Sequence, residues 1–378
     1  MRRCIVITHQ HSLSSPGGGT QSCLQIAEHL QKLGVEVILV PVSHGSTVNQ
    51  KEISVPLIAV PPSRVHYLLN GLAVTKTVQA VLASRQVDAV ISWDYESAFL
   101  PKLLRSKGVV FGMIAAAPSY ETWVKRKTAL RLVKSMTDQW FRWRSLRRAD
   151  VVFVSSLFTQ KELIALFKLE PERIVTTHRG IDSRFSQVQR LFSGKVSNLI
   201  FYGSLAPLKG IFDVIEALGR VAAQGQRNWV LKVAGWDNEE AVRQALREHK
   251  IDQQVVLLGR LDTQTLIREL EWSHLAILPS HAESFGRAIA EAQASGLPVI
   301  SYEVGSVPEI VQKGVTGWLA PLGHVDLLAE AIIAAMQDPE TAFQMGLAGR
   351  KRVTQLFSWE QTAMAILHGI EEAKRRSA

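Results

Sequence analysis

Short apolar runs alternate with helix-period segments along this chain, and this alternation constrains its fold more than any other feature. Such alternation is typical of parallel strands joined by crossover helices. In the N-terminal half the strand candidates are Cys4–Ile7, Val35–Val40, Ala89–Ser92, Val109–Ala115 and Val151–Val154. A second series comprises Leu199–Tyr202, Trp229–Ala234, Val255–Leu258, Leu275–Leu278 and Pro298–Tyr302. The sequence therefore predicts an α/β fold with two Rossmann-like domains.

The length of 378 residues also favours two hydrophobic cores, since domains typically contain about 100–200 residues. The segment 183–197 is polar and has no clear period, which predicts a linker. It divides an N-terminal domain, residues 1–182, from a C-terminal domain, residues 198–357. Ligands of open parallel sheets bind outside the carboxyl ends of the strands. We therefore expect two domains that face each other across a cleft, with the chemistry in the loops that follow their strands.

Composition narrows the class of protein without identifying it. Hydrophobic residues make up 47% and charged residues 20%, which is close to the soluble average and excludes a disordered, collagen-like or coiled-coil protein. The net charge of +9 suits phosphate-bearing ligands, nucleic acid or anionic lipid. Cys4 and Cys23 provide neither a disulfide framework nor a four-thiolate metal site, so a cytoplasmic location is expected.

Two features bear on membrane contact. The start Met1-Arg2-Arg3 resembles the basic end of a leader, but only a short apolar run follows it, which favours a first strand. No stretch reaches the ~18 consecutive apolar residues of a membrane span. Any membrane contact is therefore expected to be peripheral.

Two loops at strand ends carry residues suited to an anion. Gly17–Gly19 follow the first strand and lead into a helix, whose free N–H groups favour a negative charge. A flexible turn capped by Thr20 is the alternative. In the second domain Lys209 and Gly210 open a helix after a strand, which suits neutralisation of a diphosphate. A solvated lysine is the alternative there.

Two carboxylates, Glu283 and Glu291, lie eight residues apart after another strand. If a helix begins near Gly286, Glu283 lies in the preceding loop and Glu291 about a turn and a half inside the helix. One ligand outside the strand ends can then touch both. The alternative is structural: Glu283 interacts with the helix dipole and Glu291 pairs with Arg287.

The spacing of these glutamates, E-x7-E, and the Lys209–Gly210 pair resemble glycosyltransferase family 4, the glycosyl transferases group 1, which are retaining enzymes of GT-B fold. The C-terminal resemblance covers residues 198–365 and includes the segments GSVPEIVQKGVTGWLAPLGHVDLLAEAI, MGLAGRKRV and FSWEQTA. The N-terminal resemblance is weaker. It rests on the Gly17–Gly19 loop, the strand order and the segment Arg179–Asp182, which is similar to the family's N-G-V-D.

Carried over residue by residue, the resemblance implies a site for a nucleotide diphosphate sugar. It implies that Glu291 binds the donor ribose and Lys209 the diphosphate, and that Glu283 is the catalytic residue near the anomeric carbon. The other implied donor-binding residues are Gly18, Gly19, Ser204, Arg260, Leu261, Ser284, Phe285 and Gly286. The resemblance also implies that a final helix, residues 358–378, crosses back onto the N-terminal domain.

Two departures from the family pattern concern this donor site. The family has an arginine where this chain has Ser204, so one phosphate cation is missing. It also places a histidine at the end of the strand corresponding to Val109–Ala115, where this chain has alanines. The residues that can replace this histidine are His9, His11, Tyr120 and Glu121, and the sequence selects none of them.

Other motifs have a structural interpretation or are missing. Ser306 with Glu309 predicts a capping box at a helix start. His9-x-His11 is poor evidence for zinc, because no carboxylate accompanies it at ligand spacing. The sequence contains no Walker loop, no GxSxG nucleophile and no Asp-x-Asp. A reaction without metal or cofactor is therefore expected.

The expected function is transfer of a sugar, with retention, from a nucleotide diphosphate sugar to a glycan or lipid-linked acceptor. UDP is the favoured nucleotide and GDP a possible one. Basic groups and helix dipoles would stabilise the leaving diphosphate. The alternatives are a nucleotide-sugar binding protein with impaired catalysis and a GT-B epimerase or phosphorylase, which would share the fold alone.

The segment Trp123–Arg148 carries nine basic residues against the single acidic Asp138. Basic segments with aromatic anchors bind anionic lipid headgroups at ~1 kcal/mol per cation. Peripheral attachment to the inner face of a membrane, or acceptor docking, is therefore predicted for Trp123, Lys125, Arg126, Lys127 and Arg131. The alternative is an ordinary helix with solvated arginines and a core face formed by Trp140, Trp143 and Leu146. Nucleic acid is not expected, because no recognition module accompanies the charge.

Overall fold

The computed structural model describes residues 3–9, 18–42, 55–60, 67–93, 99–118 and 140–377. The chain divides into two compact units. Met1–Gly180 together with Trp359–Ala378 form the first, and Ile181–Ser358 form the second. Each unit contains a six-stranded parallel sheet, as the alternation of apolar runs and helices predicts.

The first unit has the strand order β2-β1-β3-β4-β5-β6. Its strands are β1 (Cys4–His9), β2 (Glu36–Pro41), β3 (Ala89–Ser92), β4 (Val110–Ala115), β5 (Val151–Val154) and β6 (Ile174–Thr176). Its helices include α1 (Gly18–Lys32), α2 (Tyr67–Ser84), α3 (Leu100–Arg105) and α4 (Leu157–Phe167). A further helical segment occupies residues 140–148. The inner strands are almost wholly buried, as expected for parallel strands covered on both faces.

The second unit has the strand order β12-β11-β10-β7-β8-β9. Its strands are β7 (Asn198–Ser204), β8 (Val230–Trp236), β9 (Val255–Gly259), β10 (Leu275–Ile277), β11 (Val299–Tyr302) and β12 (Gly317–Ala320). Its helices are α5 (Ser183–Ser186), α6 (Ile211–Ala223), α7 (Glu239–Glu248), α8 (Thr263–Trp272), α9 (Arg287–Ala294), α10 (Val307–Ile310), α11 (Val325–Gln337) and α12 (Pro339–Leu356). Because β10 lies between β11 and β7, the loops after these three strands share one edge of the sheet.

The segment 183–197, which the sequence predicts as a linker, belongs to the second unit instead. Phe185, Val188 and Val196 are all buried, and Phe185 and Val196 join the main apolar cluster of this unit. The boundary between the units lies at Gly180–Ile181. The segment is polar overall, and its three buried apolar residues are too widely spaced to show a period.

The final helix, α13 (Trp359–Ser377), completes the core of the first unit. Its residues Trp359, Ala363, Ile366, Ile370 and Ala373 are buried in one apolar cluster with side chains of β1, β5 and α1. Gly180 packs directly against Trp359, since a Cβ at Gly180 would lie only 2.3 Å from this residue. The chain therefore returns to its first unit after completing the second.

Candidate functional site

Lys209 and Glu283 meet at the carboxyl ends of the neighbouring strands β7 and β10. Lys209 ends a short 3-10 turn after β7, and Glu283 lies in the loop between β10 and α9. The Nζ atom of Lys209 lies 2.6 Å from Oε1 of Glu283, and their side chains are 26% and 11% exposed. This ion pair therefore occupies the edge of the sheet where ligands of open parallel sheets bind.

Glu283 is held through both its carboxylate and its backbone carbonyl. Ser280 Oγ donates to Oε1 of Glu283 at 2.9 Å. The backbone N–H and the hydroxyl of Ser306 lie 3.3 and 3.4 Å from the Glu283 carbonyl oxygen. Gly305 has a φ of 54°, and a Cβ there would lie 2.1 Å from the same oxygen. The predicted helix start is confirmed, since Ser306 is the N-cap residue of the helix Val307–Ile310, but the serine cap of the predicted capping box is wrong, because the Ser306 hydroxyl contacts Glu283 instead.

Glu291 lies inside α9 and is paired with Arg287, whose Nε atom lies 3.3 Å from Oε1. Burial raises the pKa of Glu291; Arg287 partly opposes this increase and Asp182 adds to it. The pairing expected from the structural interpretation is therefore present, but it does not fully offset the burial of the charge. A buried carboxylate with a raised pKa at a strand edge is a candidate for function as well as for structure.

The three residues between Glu283 and α9 offer a ligand mainly their backbone. The Phe285 side chain is 2% exposed, and its ring packs edge-on against Phe357 at a centroid distance of 5.3 Å. Ser284 is also buried. Gly286 is the N-cap residue of α9 with a φ of 87°, so the N-cap position has no side chain to cap the first turn.

Side chains at the ends of β7, β8 and β9 form a second group on the same edge. The guanidinium carbon of Arg260 lies 5.3 Å from the ring centroid of Trp236, which is 44% exposed. Ser204 Oγ lies 3.5 Å from a carboxylate oxygen of Asp237. Leu261 is partly buried against the core. Sequence reasoning missed Trp236, although a tryptophan at a strand end was a usable signal.

A further cluster was also missed by sequence reasoning. Asp213 of α6 accepts hydrogen bonds at Oδ2 from Tyr302 Oη at 2.7 Å and from His281 Nε2 at 2.9 Å. Burial alone would raise the pKa of Asp213, but these two bonds outweigh it and lower the pKa. No motif indicated this cluster, because its members lie on three separate elements.

The first unit places two of the predicted donor-binding glycines at the start of α1. The helix begins at Gly18, and a Cβ at Gly19 would lie 3.8 Å from Nε1 of Trp93 and 3.9 Å from Nε2 of His9. His9 is 2% exposed. It is therefore the candidate for the missing histidine that the structure places beside the glycines. The other three candidates, His11, Tyr120 and Glu121, lie outside the described residues.

The predicted basic segment is described only in its second half. Trp140 is 49% exposed, whereas Leu146 is buried. Arg142 is also buried, and its Nη2 atom donates to the carbonyl oxygen of Ala116 at 2.8 Å. The alternative interpretation is thus confirmed for Leu146 and wrong for Trp140 and Arg142. The docking residues Trp123, Lys125, Arg126, Lys127 and Arg131 lie outside the described residues.

Among the residues that the structure describes, no group of three or more histidine, cysteine, aspartate or glutamate side chains is arranged to hold a metal ion. The acidic and basic side chains at the sheet edge pair with each other, as Lys209 and Glu283 do. This edge of the sheet therefore presents lysine, arginine and backbone N–H groups to an anionic ligand.

Sequence comparison assigns both halves of the chain to one family. The model of Glycosyltransferase Family 4 matches residues 16–185, and the model of Glycosyl transferases group 1 matches residues 182–352. A glycogen synthase of Mycobacterium tuberculosis is 30% identical over 233 residues, which are 61% of this chain and 56% of that protein. The chain thus matches little more than half the length of this curated relative.

Solved structures match over nearly the whole chain. Sucrose-phosphate synthase from Thermosynechococcus elongatus has a TM-score of 0.79 and 19% identity, with 100% of each chain covered. HepE of Anabaena, solved in complex with UDP, has a TM-score of 0.78 and 17% identity, with 98% of this chain and 100% of that chain covered. These likenesses show the fold. Together with the two family models, they establish that this chain belongs to glycosyltransferase family 4 and has the GT-B fold.

Proposed function

We propose that this protein is a retaining glycosyltransferase that moves a sugar from a nucleotide diphosphate sugar, with UDP favoured over GDP, to a glycan or lipid-linked acceptor. The observation that carries the proposal is the Lys209–Glu283 pair, with Ser280 and Ser306 fixing Glu283 at the sheet edge. The structure of HepE in complex with UDP, which shares this fold, supports a nucleotide as part of the donor.

Each charged residue of this edge has a role in the proposal. Lys209 neutralises the diphosphate, and its charge stabilises the leaving group as negative charge develops. Glu283 lies at the anomeric carbon. Glu291 accepts hydrogen bonds from the ribose hydroxyls, which a buried carboxylate does well because little water competes. The reaction needs neither a metal nor a cofactor.

The rest of the donor contacts these groups through backbone and aromatic surface. Phe285 and Gly286 present N–H groups to sugar or phosphate oxygens, since the Phe285 side chain is turned into the core. Arg260 and Leu261 lie beside the nucleobase, where the exposed Trp236 adds a flat apolar surface.

Peripheral attachment to the inner face of a membrane belongs to the same proposal. The described part of the basic segment supports it, because Arg144 lies 5.5 Å from the exposed Trp140 ring and Arg147 lies 4.9 Å from the Trp143 ring. None of the helices in the described ranges has the length and apolar content needed to cross a bilayer. Sedimentation with anionic but not neutral vesicles, weakened by Arg144→Glu, supports attachment; equal binding to both vesicle types contradicts it.

A nucleotide-sugar binding protein without catalysis is the second candidate. Two departures favour it: Ser204 replaces the family's arginine, and Ala115 ends the strand where the family has a histidine. Slow hydrolysis of the sugar nucleotide without acceptor distinguishes the candidates, because a binder alone releases no sugar.

The test of the proposed function is a thermal-shift screen with UDP, GDP, UDP-glucose and GDP-mannose. A ligand at 100 times its dissociation constant adds about 2.7 kcal/mol of stability, which such a screen detects. Stabilisation by a nucleotide in the wild type, and its loss in Lys209→Ala, supports the proposal. Equal stabilisation of wild type and Lys209→Ala places the nucleotide elsewhere and overturns it.

A further inference from the structure

Asp213 is the centre of a hydrogen-bond cluster that links three neighbouring strands. One carboxylate oxygen, Oδ2, accepts from both Tyr302 Oη at 2.7 Å and His281 Nε2 at 2.9 Å. Asp213 lies in the first turn of α6, His281 in the loop after β10, and Tyr302 at the end of β11. The cluster thus connects the carboxyl ends of β7, β10 and β11.

His281 is bonded both to the Lys209 turn and to α6, the helix that follows this turn. Its ring bonds Asp213, and its backbone N–H donates to the Leu208 carbonyl oxygen at 2.8 Å. Leu208 immediately precedes Lys209, and His281 lies two residues before Glu283. The two contacts therefore determine how the turn that carries the ammonium lies against the loop that carries the carboxylate.

A close backbone approach completes this junction. Gly210 has a φ of 76°, and a Cβ there would lie 2.0 Å from the carbonyl oxygen of Pro279. The Lys209 turn and the Glu283 loop are therefore in backbone contact beside the cluster. A shift of either segment breaks the bonds of His281 or the fit at Gly210.

The three side chains of the cluster are largely shielded from water. The side chains of His281 and Asp213 are 21% and 18% exposed, and Tyr302 is fully buried. Burial and the bond to Asp213 raise the pKa of Tyr302, with smaller contributions from Glu216 and Asp326. A partly buried carboxylate needs its donors, because an unsatisfied charge there is costly.

We infer that Asp213, His281 and Tyr302 are positioning residues that hold the Lys209 ammonium and the Glu283 carboxylate in register for the donor diphosphate and sugar. This inference rests on the proposed function of Lys209 and Glu283. The three residues act through the turn and the loop, and Lys209 and Glu283 remain the groups that meet the donor.

The test compares variants that remove one bond each. His281→Phe keeps a ring but loses the Nε2 donor, His281→Gln restores an N–H donor at similar reach, and Tyr302→Phe removes only the hydroxyl. His368→Gln, at an exposed position of α13, is the control. The readouts are UDP affinity by calorimetry and kcat and KM for hydrolysis of UDP-glucose, at a temperature where every variant is folded.

His281→Phe and Tyr302→Phe should each lower kcat/KM by about tenfold, since one charge-assisted hydrogen bond is lost. His281→Gln should recover most of this loss, and His368→Gln should match the wild type. The double variant should lose less than the product of the two single losses, because loss of either bond already releases the junction between the turn and the loop. The contrary result is a His281→Phe protein that has a lowered Tm but the kcat and KM of the wild type. It would show that the cluster only stabilises the fold, and it would overturn the inference.

Hydrogen exchange separates this inference from the proposed function, because it needs no ligand. The amides of residues 280–286 should exchange faster in His281→Phe than in the wild type, and slowly again in His281→Gln. Unchanged exchange in His281→Phe overturns the positioning role, whatever Lys209→Ala does to nucleotide binding. A different pair of results is undiminished UDP affinity in Lys209→Ala together with faster exchange in His281→Phe. This pair overturns the proposed function but retains the connection between the Lys209 turn and the Glu283 loop.

Discussion

Lys209 and Glu283 are separated by 74 positions in the sequence, yet Nζ and Oε1 lie 2.6 Å apart. The pairing of β7 with β10 brings their loops to the same edge of the sheet. The ammonium that we propose for the donor diphosphate is thus already engaged by a carboxylate. A bound diphosphate must therefore compete with Glu283 for Lys209. Replacement of Lys209 and replacement of Glu283 should consequently have different effects on UDP affinity.

Lys209→Ala should weaken UDP binding by about tenfold to a hundredfold, the value of one charge-assisted contact of about 1.5–3 kcal/mol. Glu283→Gln should bind UDP no more weakly than the wild type, because it removes the competitor, while sugar transfer falls. Calorimetry with UDP measures the first effect and turnover the second. The matched control is Lys232→Ala, which breaks another 2.6 Å pair, with Glu269, in the same unit. Weaker UDP binding in Glu283→Gln would contradict the competition.

Glu291→Gln should change the pH dependence of stability. Burial raises the pKa of Glu291 above its ordinary 4.5, so ionisation is costlier in the folded state than in the unfolded state. Its stabilising contribution is present below pH 4.5 and is lost as pH rises through the raised pKa. The Tm of the glutamine variant relative to wild type should therefore increase from about pH 4 to about pH 7.

Thermal melts across this range, with Glu240→Gln at an 85% exposed position as the control, measure the difference. A Tm difference between Glu291→Gln and wild type that is constant with pH would show that Glu291 titrates alike in the folded and unfolded states. The same Glu291→Gln protein should bind UDP more weakly, since the ribose loses its charged acceptor.

Gly305→Ala should impair the site beyond its effect on stability. Gly305 and Gly314 both have positive φ, 54° and 74°, so alanine at either costs about 1 kcal/mol of backbone strain. Only at Gly305 would the new Cβ meet the Glu283 carbonyl oxygen, at 2.1 Å. Tm and transfer are measured for both variants. Gly305→Ala is expected to lose transfer and to lose more Tm than Gly314→Ala, whose new Cβ has no atom within 4 Å. Equal transfer in both variants would show that the Glu283 loop tolerates displacement.

Ile366→Ala should destabilise the first unit by about 2–5 kcal/mol, the usual cost of a cavity left by a buried aliphatic side chain. Ile366 is fully buried in the cluster that α13 shares with the sheet, whereas Met364 on the same helix is 46% exposed. Urea unfolding of Ile366→Ala and of the control Met364→Ala gives the comparison. Equal midpoints would mean that α13 contributes little to this core.

Much of the fold is predictable because parallel strands and amphipathic helices leave local signals. On α6, Ile211, Val214, Ile215, Leu218 and Val221 recur at helical spacing and form a fully buried face. The edge strands β6 and β12 were missed. Only one of the three residues of β6 is buried, and β12 begins with glycine, so neither shows the continuous apolar run of the predicted strands. The strand order of the sheets depends on long-range pairing, which no local pattern contains.

The sequence by itself determined the α/β class, the family and the chemical types of Lys209, Glu283 and Glu291, because periodicity and motif spacing are local properties of the chain. Only the tertiary structure decided what these residues touch. Ser306 bonds Glu283 rather than capping its helix, and Asp213 connects elements that are 68 and 89 residues away. Such contacts follow from which strands pair and how closely their loops pack, and that choice is made by burial of the whole core rather than by any single segment.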